Sequence, residues 1–277
     1  MSVNAIHIIP DYENLDYYLE LTQKHGMHFE YNDFFDTDLV DDKEECNKRI
    51  NVYKALTRDR SQDTLHGAFY DLCVNSMDRQ IAGFSRKRMR ESMDIAARLG
   101  VKGVVFHTNL IAGFNNESYL SRWQEINGSF LQELLREYKG MEIYIENMFD
   151  QSPNALCKLA ASMHADMHDS SFGVCFDVAH CHITSVSMEE WFRQLSPYIK
   201  HMHINDNDGI SDLHNAVGDG SIDWQQFNSL MRQFDIEASM LIEVRGKEKL
   251  ERSLGYMMEK GICLSDETNR SRRGAAD

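Results

Sequence analysis

The feature that most constrains the fold of this sequence is an alternation, repeated eight times, of a short β-rich run and a longer segment of helical period. The runs predicted as strands are Val3–Ile9, Met27–Tyr31, Thr64–Ala68, Gly103–Thr108, Met141–Asn147, Gly173–Asp177, Tyr198–Ile204 and Ser239–Val244. The segments predicted as helices are Leu15–His25, Lys43–Arg58, Ser85–Leu99, Glu117–Tyr138, Ala155–His168, Ser187–Gln194, Asp223–Phe234 and Lys247–Lys260. Ser221 or Asp223 is predicted to cap the seventh helix, and Ser187 with Glu190 has the spacing of a capping box.

Eight strand–helix units in 277 residues predict an α/β fold, a single (β/α)8 TIM barrel, over residues 1–264. The competing fold is a doubly wound open sheet. That fold needs a glycine-rich first strand–helix turn, and Pro10-Asp11-Tyr12 stands at this position. Residues 265–277 are polar and have the composition of a disordered tail.

Charge, cysteine content and hydropathy limit the classes of function that fit this chain. The formal net charge of −15 argues against a general polyanion binder, because phosphate contacts need Lys and Arg, and it suits a pocket that collects divalent cations. The six cysteines form no CxxC pair, which is typical of reduced thiols in a cytoplasmic protein. No apolar run approaches the ~20 residues that span a bilayer, and no signal peptide is recognisable at the N-terminus.

A polar, metal-ligating side chain lies at or near the end of seven consecutive predicted strands. These side chains are Glu30, His66, His107, Glu146, Asp177, His203 and Glu243. In a (β/α)8 barrel the strand ends converge on one mouth, and several close carboxylates stay ionised together only beside a cation. His201, two residues before His203, is interpreted as a hydrogen-bonded core histidine.

The richest stretch is Lys200–Trp224, KHMHINDNDGISDLHNAVGDGSIDW, in which a short strand gives way to a polar loop. Asp212 and His214 lie two residues apart in this loop, and Gly218-Asp219-Gly220 predicts a tight turn before a helix. A solvated acidic loop is the alternative interpretation. Gathering so many imidazoles and carboxylates is costly unless something positive joins them.

With these residues the chain resembles the xylose isomerase-like TIM barrels, which include the endonuclease IV type of apurinic-site nuclease. The matching segments are LHGAFYDL, VVFHTN, IYIENM, GVCFDVAHCH, HMHINDNDGISDLHNAVGDGSIDW and MLIEVRG, in order from His66 to Gly246. Together they are specific for the superfamily and much less so for one reaction.

The resemblance implies four central metal ligands, Glu146, Asp177, His203 and Glu243. In the nuclease branch, the positions of His66, His107, His180, Asp212 and His214 join them to hold three zinc ions. All nine positions carry the matching residue type here. The expected cofactor is therefore a divalent metal ion, Mn²⁺, Zn²⁺, Co²⁺ or Mg²⁺, with one to three ions per chain.

Two departures from the nuclease argue against nucleic acid as partner. The nuclease has a Gly-rich turn after its IEN segment, whereas MFDQSPNAL follows here. Its second strand leads into an Arg-containing DNA-reading loop, whereas Glu30 is followed here by the acidic YNDFFDTD. The FDVAH segment and the HINDNDG loop are closer to the sugar-phosphate isomerase and epimerase branch.

The leading hypothesis is a metal-dependent isomerase or epimerase acting on a small sugar or sugar phosphate. Glu146 and Glu243 would move the proton, while His180 and Glu30 would hold substrate hydroxyls. Arg245 would pair with a substrate anion or with the acidic mouth. The alternatives are an endonuclease IV-like phosphodiesterase acting at abasic sites and a metal-binding barrel without turnover. The sequence leaves the oligomeric state open, a homo-oligomer included.

Overall fold

The eight β-rich runs form parallel strands in the computed structural model of the protein, which describes residues 3–111, 113–166 and 171–262. The strands are β1 (Ile6–Ile8), β2 (His28–Tyr31), β3 (Thr64–His66), β4 (Gly103–His107), β5 (Glu142–Glu146), β6 (Phe172–Asp177), β7 (Ile199–Ile204) and β8 (Ser239–Ile242). Each pairs with the next, and β8 returns to β1 with Leu241 opposite His7, which closes the barrel. The predicted (β/α)8 TIM barrel is confirmed.

The described residues contain ten α-helices. They are α1 (Leu15–His25), α2 (Thr37–Asp41), α3 (Lys43–Ala55), α4 (Arg79–Leu99), α5 (Glu117–Glu137), α6 (Asn154–Asp166), α7 (Val178–His182), α8 (Met188–Leu195), α9 (Trp224–Gln233) and α10 (Lys247–Lys260). The short helices α2 and α7 and the 3-10 turns Tyr12–Asn14 and Asp33–Phe35 were not predicted, since three to five residues are too few to show a period. The predicted helix end at His168 and the predicted tail 265–277 lie outside the described residues.

Side-chain caps fix where the helices begin. Asp223 caps α9, because its Oδ1 accepts hydrogen bonds from the amides of Gln225 at 3.0 Å and Gln226 at 2.9 Å. Ser187 caps α8 by accepting from the amide of Glu190 at 3.3 Å. Helix α4 begins at Arg79, earlier than predicted, because Asp78 caps it.

Alternation along the strands separates two environments. On β5, Ile143 and Ile145 belong to the large apolar cluster that contains the buried apolar side chains of the helices. The intervening Tyr144 forms a small separate cluster with Val105 and Cys175, on the other face of the strands. The remaining side chains on that inner face are largely polar and fully or almost fully buried: His7, Glu30, Thr64, His66, His201 and His203.

The five cysteines in the described residues, Cys46, Cys73, Cys157, Cys175 and Cys181, are free thiols. None of the helices in those residues combines the length and the apolar character needed to cross a bilayer.

Candidate metal centre

Four side chains from four neighbouring strands meet at the C-terminal end of the barrel. Ligand atoms of Glu146, Asp177, His203 and Glu243 all lie within 4.8 Å of one another, and the four residues are buried. Strand register brings them together, since Asp177 stands opposite His203 across β6 and β7. His203 lies between the two glutamates, with its Nδ1 3.3 Å from Glu146 Oε2 and 3.4 Å from Glu243 Oε2.

A second group shares Glu146. His66 at the end of β3 and His107 at the end of β4 each direct Nε2 at Glu146 Oε2, at 3.7 and 3.2 Å. His107 pairs with Glu146 across β4 and β5, and the two imidazole Nε2 atoms are 3.1 Å apart. Imidazole nitrogens this close, facing one carboxylate, have the spacing of ligands around one cation.

A third group lies on the other side of Glu146. His180 Nδ1 is 3.2 Å from Glu146 Oε1, and His180 Nε2 is 3.4 Å from Asp212 Oδ2. His214 Nε2 is 3.1 Å from the same Asp212 oxygen, and its Nδ1 is 3.7 Å from Glu243 Oε2. The nine side chains therefore form one continuous network, with Glu146 at the point where its three parts meet.

Three of the histidines are oriented by main-chain carbonyls. Nδ1 of His66, His180 and His214 lies 3.0, 2.8 and 3.1 Å from the carbonyl oxygens of Gly67, Asn147 and Glu243. Because a carbonyl only accepts, Nδ1 carries the proton in each case, and Nε2 is the nitrogen whose lone pair can face a cation. Metal-ligating histidines commonly use their second nitrogen in this way.

The donor set fits a divalent metal ion. Both carboxylate oxygens of Glu146, Oδ2 of Asp177 and Nδ1 of His203 are buried without a hydrogen-bond partner in the described residues. The two carboxylate oxygens of Asp177 differ in their contacts. Oδ1 accepts a hydrogen bond from the amide of His180 at 2.5 Å and so caps α7, whereas Oδ2 is the unpaired oxygen. Buried polar atoms left unpaired are costly, and a shared cation would satisfy them together.

Comparison with known proteins identifies the family of the chain. The family described as xylose isomerase-like TIM barrel matches residues 19–260 of the chain. The chain belongs to this family. A relative with sequence similarity is the uncharacterized protein MJ1311 of Methanocaldococcus jannaschii, 26% identical over 227 residues, which cover 75% of this chain and 76% of that protein.

Solved structures agree on the xylose isomerase-like fold. The TTHB071 protein from Thermus thermophilus, in a crystal soaked with ZnCl2, has 25% identity and a TM-score of 0.71, covering 94% of this chain and 97% of that one. A D-tagatose 3-epimerase-like protein has 20% identity and a TM-score of 0.71 over 92% and 96% of the chains. Endonuclease IV from Thermus thermophilus has 17% identity and a TM-score of 0.63 over 92% and 98%. At these last two identities the likeness concerns the fold.

The protonation states of several site residues depend on the charged side chains around them. Burial alone would lower the pKa values of His180 and His203, but the surrounding carboxylates and, for His203, Cys175 raise both well above the usual range. Burial likewise opposes the shift at His214, where Glu243 and Asp212 raise the pKa to about 10. In the same way His203 and His214 outweigh burial at Glu243 and lower its pKa to about 2. In the absence of metal these imidazolium groups supply the positive charge.

At Asp177 and His66, in contrast, burial decides the direction of the pKa shift. Burial is the main cause that raises the pKa of Asp177 to about 7. Burial and the neighbouring His107 lower the pKa of His66 to about 4, so this imidazole is neutral at physiological pH. A neutral imidazole binds a cation without first losing a proton.

The loop that carries Asp212 and His214 is built around Asp206. This fully buried carboxylate accepts hydrogen bonds from the amides of Gly218 and Ile222 and from the indole of Trp224, at 2.9, 3.2 and 2.7 Å. Asp206 is therefore structural. His214 itself has a φ of +44°, a conformation that non-glycine residues rarely adopt and that aims its ring at the cluster.

Glu30 lies in a different place from the one expected of a residue that binds substrate. It stands opposite Thr64 in the register of β2 and β3, one layer below His66, and it is fully buried. Its Oε2 accepts from Thr64 Oγ1 at 2.7 Å and lies 3.0 Å from His201 Nε2, while its Oε1 is 3.1 Å from His203 Nε2. We therefore correct this expectation, because Glu30 contacts the back of His203 and does not line the cavity.

A cavity of about 590 Å³ opens above the cluster. Its walls carry the aromatic side chains Phe35, Phe69, Tyr70 and Phe149, and its floor includes Glu243, His180 and other members of the network. Arg245 and Lys249 line it on the β8–α10 side. The volume is typical of a small-molecule site.

Sequence reasoning missed Asn147 and Lys249. Asn147 clamps β6, since its Oδ1 accepts from the amide of Asp177 and its Nδ2 donates to the Asp177 carbonyl, both at 2.9 Å. Its place directly after Glu146 was the available signal. Lys249 lies in the first turn of α10, and no sequence pattern distinguishes it from the neighbouring surface lysine Lys247.

Proposed function

We propose that this member of the family is a divalent-metal-dependent isomerase or epimerase of a small sugar or sugar phosphate. The observation that carries the proposal is a pair of buried carboxylates, Glu146 and Glu243, on one imidazole beside a small cavity. Both contact His203 Nδ1, and Glu243 lines the cavity. Two carboxylates beside one enclosed substrate suit transfer of a proton between adjacent carbon atoms.

Each residue has a role in this proposal. Glu146, Asp177, His203 and Glu243 would hold the metal ion, which when bound would polarise a substrate carbonyl and its neighbouring hydroxyl. Glu243 would accept the carbon-bound proton, because among the four it is the carboxylate that faces the cavity. Glu146 would deliver a solvent-derived proton to the enediolate, and Glu243 would release the proton it accepted to solvent, so that both carboxylates return to the ionised state. His180, which also lines the cavity, would hold a substrate hydroxyl.

The surroundings of the site support a sugar. Aromatic faces such as those of Phe35, Phe69 and Tyr70 pack against the apolar faces of sugar rings and exclude water from the reacting carbon. A cavity of about 590 Å³ is large enough to hold a monosaccharide.

Hydrogen exchange tests the proposal directly. The metal-loaded protein is incubated in D₂O with a panel of neutral and phosphorylated ketoses and aldoses, and deuterium on carbon is measured by mass spectrometry. Glu243→Gln should lower exchange by ~10²–10⁴-fold, the loss typical of a missing general base. The matched control is Glu237→Gln, which changes an exposed glutamate before the same strand and should leave exchange unchanged. No deuterium in any sugar would contradict the proposal.

A phosphodiesterase acting at abasic sites is the second candidate, and one observation favours it. All nine side chains of the three-metal pattern lie in one network, including Asp212 and His214. The acidic loop after β2 opposes it, since the exposed carboxylates of Asp36 and Asp38 would repel phosphates.

His214→Ala separates the two candidates. The isomerase proposal expects a mild loss of exchange, because His214 is outside the proton path. The nuclease hypothesis expects loss of one metal equivalent together with loss of nicking of an oligonucleotide that carries one abasic site. Nicking by the parent protein without solvent exchange would make the nuclease the correct assignment.

A further inference from the structure

Two basic side chains line the cavity at the acidic mouth of the barrel. Arg245 and Lys249 are the two lysine or arginine side chains among the described residues that line the cavity. Arg245 lies between β8 and α10, and Lys249 lies in the first turn of α10, so they lie on one wall. The rest of the lining consists of aromatic and apolar side chains, Asn32 and members of the metal network. One side of the cavity is thus positively charged in a chain whose formal net charge is −15.

Arg245 has no carboxylate partner in the described part of the chain. Arg49, Arg58 and Arg88, in contrast, each form an ion pair with an aspartate. The Arg245 side chain is exposed, and its guanidinium lies 5.3 Å from the centre of the Phe35 ring, which orients it over the cavity wall. An arginine kept apart from so many nearby carboxylates retains all its hydrogen-bond donors for another anion.

Lys249 is held beside it. Its Nζ donates to the main-chain carbonyl of His214 at 2.7 Å, which fixes the ammonium group at the cavity wall and leaves further donors. Helix α10 begins in the same place, at Lys247, directly after Gly246 with a φ of +88°, and no side chain caps its first amides. The end of the helix therefore adds a partial positive charge to the two formal charges.

We propose that Arg245 and Lys249 form a binding site for an oxyanion, a phosphate or a carboxylate, carried by the substrate. This inference rests on the proposed sugar isomerase function and specifies its substrate class as an acidic sugar derivative. The planar guanidinium gives two parallel hydrogen bonds to such a group, and the ammonium adds a point charge. Anchoring the anion at this wall would place the carbon chain across the cavity above Glu243.

Binding of inorganic phosphate tests the site without any turnover. Phosphate is titrated by calorimetry into the metal-loaded full chain, from which excess metal has been removed, with malonate as the carboxylate probe. Arg245→Met and Lys249→Met should each weaken binding of the preferred probe by about tenfold or more, as expected for lost charged hydrogen bonds. Arg245→Lys should fall between wild type and Arg245→Met, because it keeps the charge and loses the planar fork.

Lys247→Met is the matched control. Lys247 lies in the same helical turn but pairs with Glu251 at 3.8 Å and packs over Tyr17, away from the cavity. This variant should bind both probes as the wild type does. Equal affinity of Arg245→Met and Lys247→Met for phosphate and for malonate would overturn the inference, since the anion would then be held by the metal alone.

The outcome is distinct from that of the isomerase test. Probe binding that depends on Arg245, without deuterium exchange in any sugar, would support the anion site and refute the isomerase. Exchange that is equally fast in a neutral sugar and its phosphate, and that Arg245→Met leaves unchanged, would support the isomerase and refute the anion site. If both hold, Arg245→Met should raise KM for the acidic sugar much more than it lowers kcat.

Discussion

His203 has carboxylates facing both of its ring nitrogens. Its Nδ1 faces Glu146 and Glu243, and its Nε2 faces Glu30, so the ring is held between carboxylates on both sides. Glu30 is in turn fixed by Thr64 and His201. A carboxylate behind a metal-ligating imidazole orients the ring and makes it a stronger ligand.

Glu30→Gln is therefore expected to weaken metal binding by about 10–100-fold, although Glu30 does not touch the cavity. The amide keeps the size of the side chain and removes its charge. Affinity can be measured by competition with a chromophoric chelator, and the visible spectrum of Co²⁺ in the site should change with the ligand field. An affinity and a spectrum equal to those of Glu237→Gln would contradict this role.

The charge state of the histidines leads to a second prediction. Without metal, His180, His203 and His214 have raised pKa values and are protonated at pH 7. A metal ion must displace these protons, so loading at pH 7 should release more than one proton per chain, and affinity should rise with pH. Calorimetry in two buffers of different ionisation enthalpy measures the number. Loading without proton release would contradict the proposed ligand set.

At the scale of elements, the β7–α9 loop is the part of the site most sensitive to sequence. A Cβ on Gly220 would lie 2.2 Å from the Asn207 carbonyl oxygen and 2.3 Å from Asp206 Oδ1. Neither atom is free to move, because both take part in the hydrogen bonds that shape the loop.

Gly220→Ala should consequently lower the free energy of unfolding by about 1–3 kcal/mol, the range for overpacking. It should also weaken metal binding, since the loop places Asp212 and His214. Chemical denaturation and metal titration measure the two effects. Gly255→Ala is the control, because Gly255 lies in α10 with nothing within 4 Å of the added carbon, and it should stabilise by about 0.5–1 kcal/mol. Equal stability of the two variants would refute the packing argument.

The long helices were predictable from the sequence. The depth at which each inward-facing side chain lies inside the barrel was not. The helical period predicted α1 and α10 with the same ends that the structure has. Glu30 was misassigned because its layer depends on the register between β2 and β3, which pairs it with Thr64 and which the sequence does not state. His201 was interpreted as a core histidine, and its hydrogen bonds to Ser239 and Glu30 agree with this.

For the whole molecule, metal content and pH should act together on stability. The raised pKa values of His180, His203 and His214 stabilise the metal-free protein below the unfolded histidine pKa, near 6.5. That stabilisation is lost as the pH rises from 6.5 toward the folded value, which is about 10 for His214. The melting temperature of the metal-free protein should therefore fall over this range.

The metal-loaded protein should behave differently, because bound metal has already replaced those protons and stabilises the native state by mass action. Thermal scans of both forms between about pH 6.5 and 9 compare them. Parallel curves would show that the network does not bind the metal.

Closure of the barrel by β8 against β1 also determines when, during synthesis of the chain, the barrel and its site can be completed. Glu146, Asp177 and His203 leave the ribosome before Glu243, and the first strand has no partner on one side until the last strand is made. Until Glu243 has been made, the nascent chain consequently lacks one of the four central side chains. Under the proposed function, a product truncated before Glu243 would therefore lack one of the four side chains that hold the metal ion.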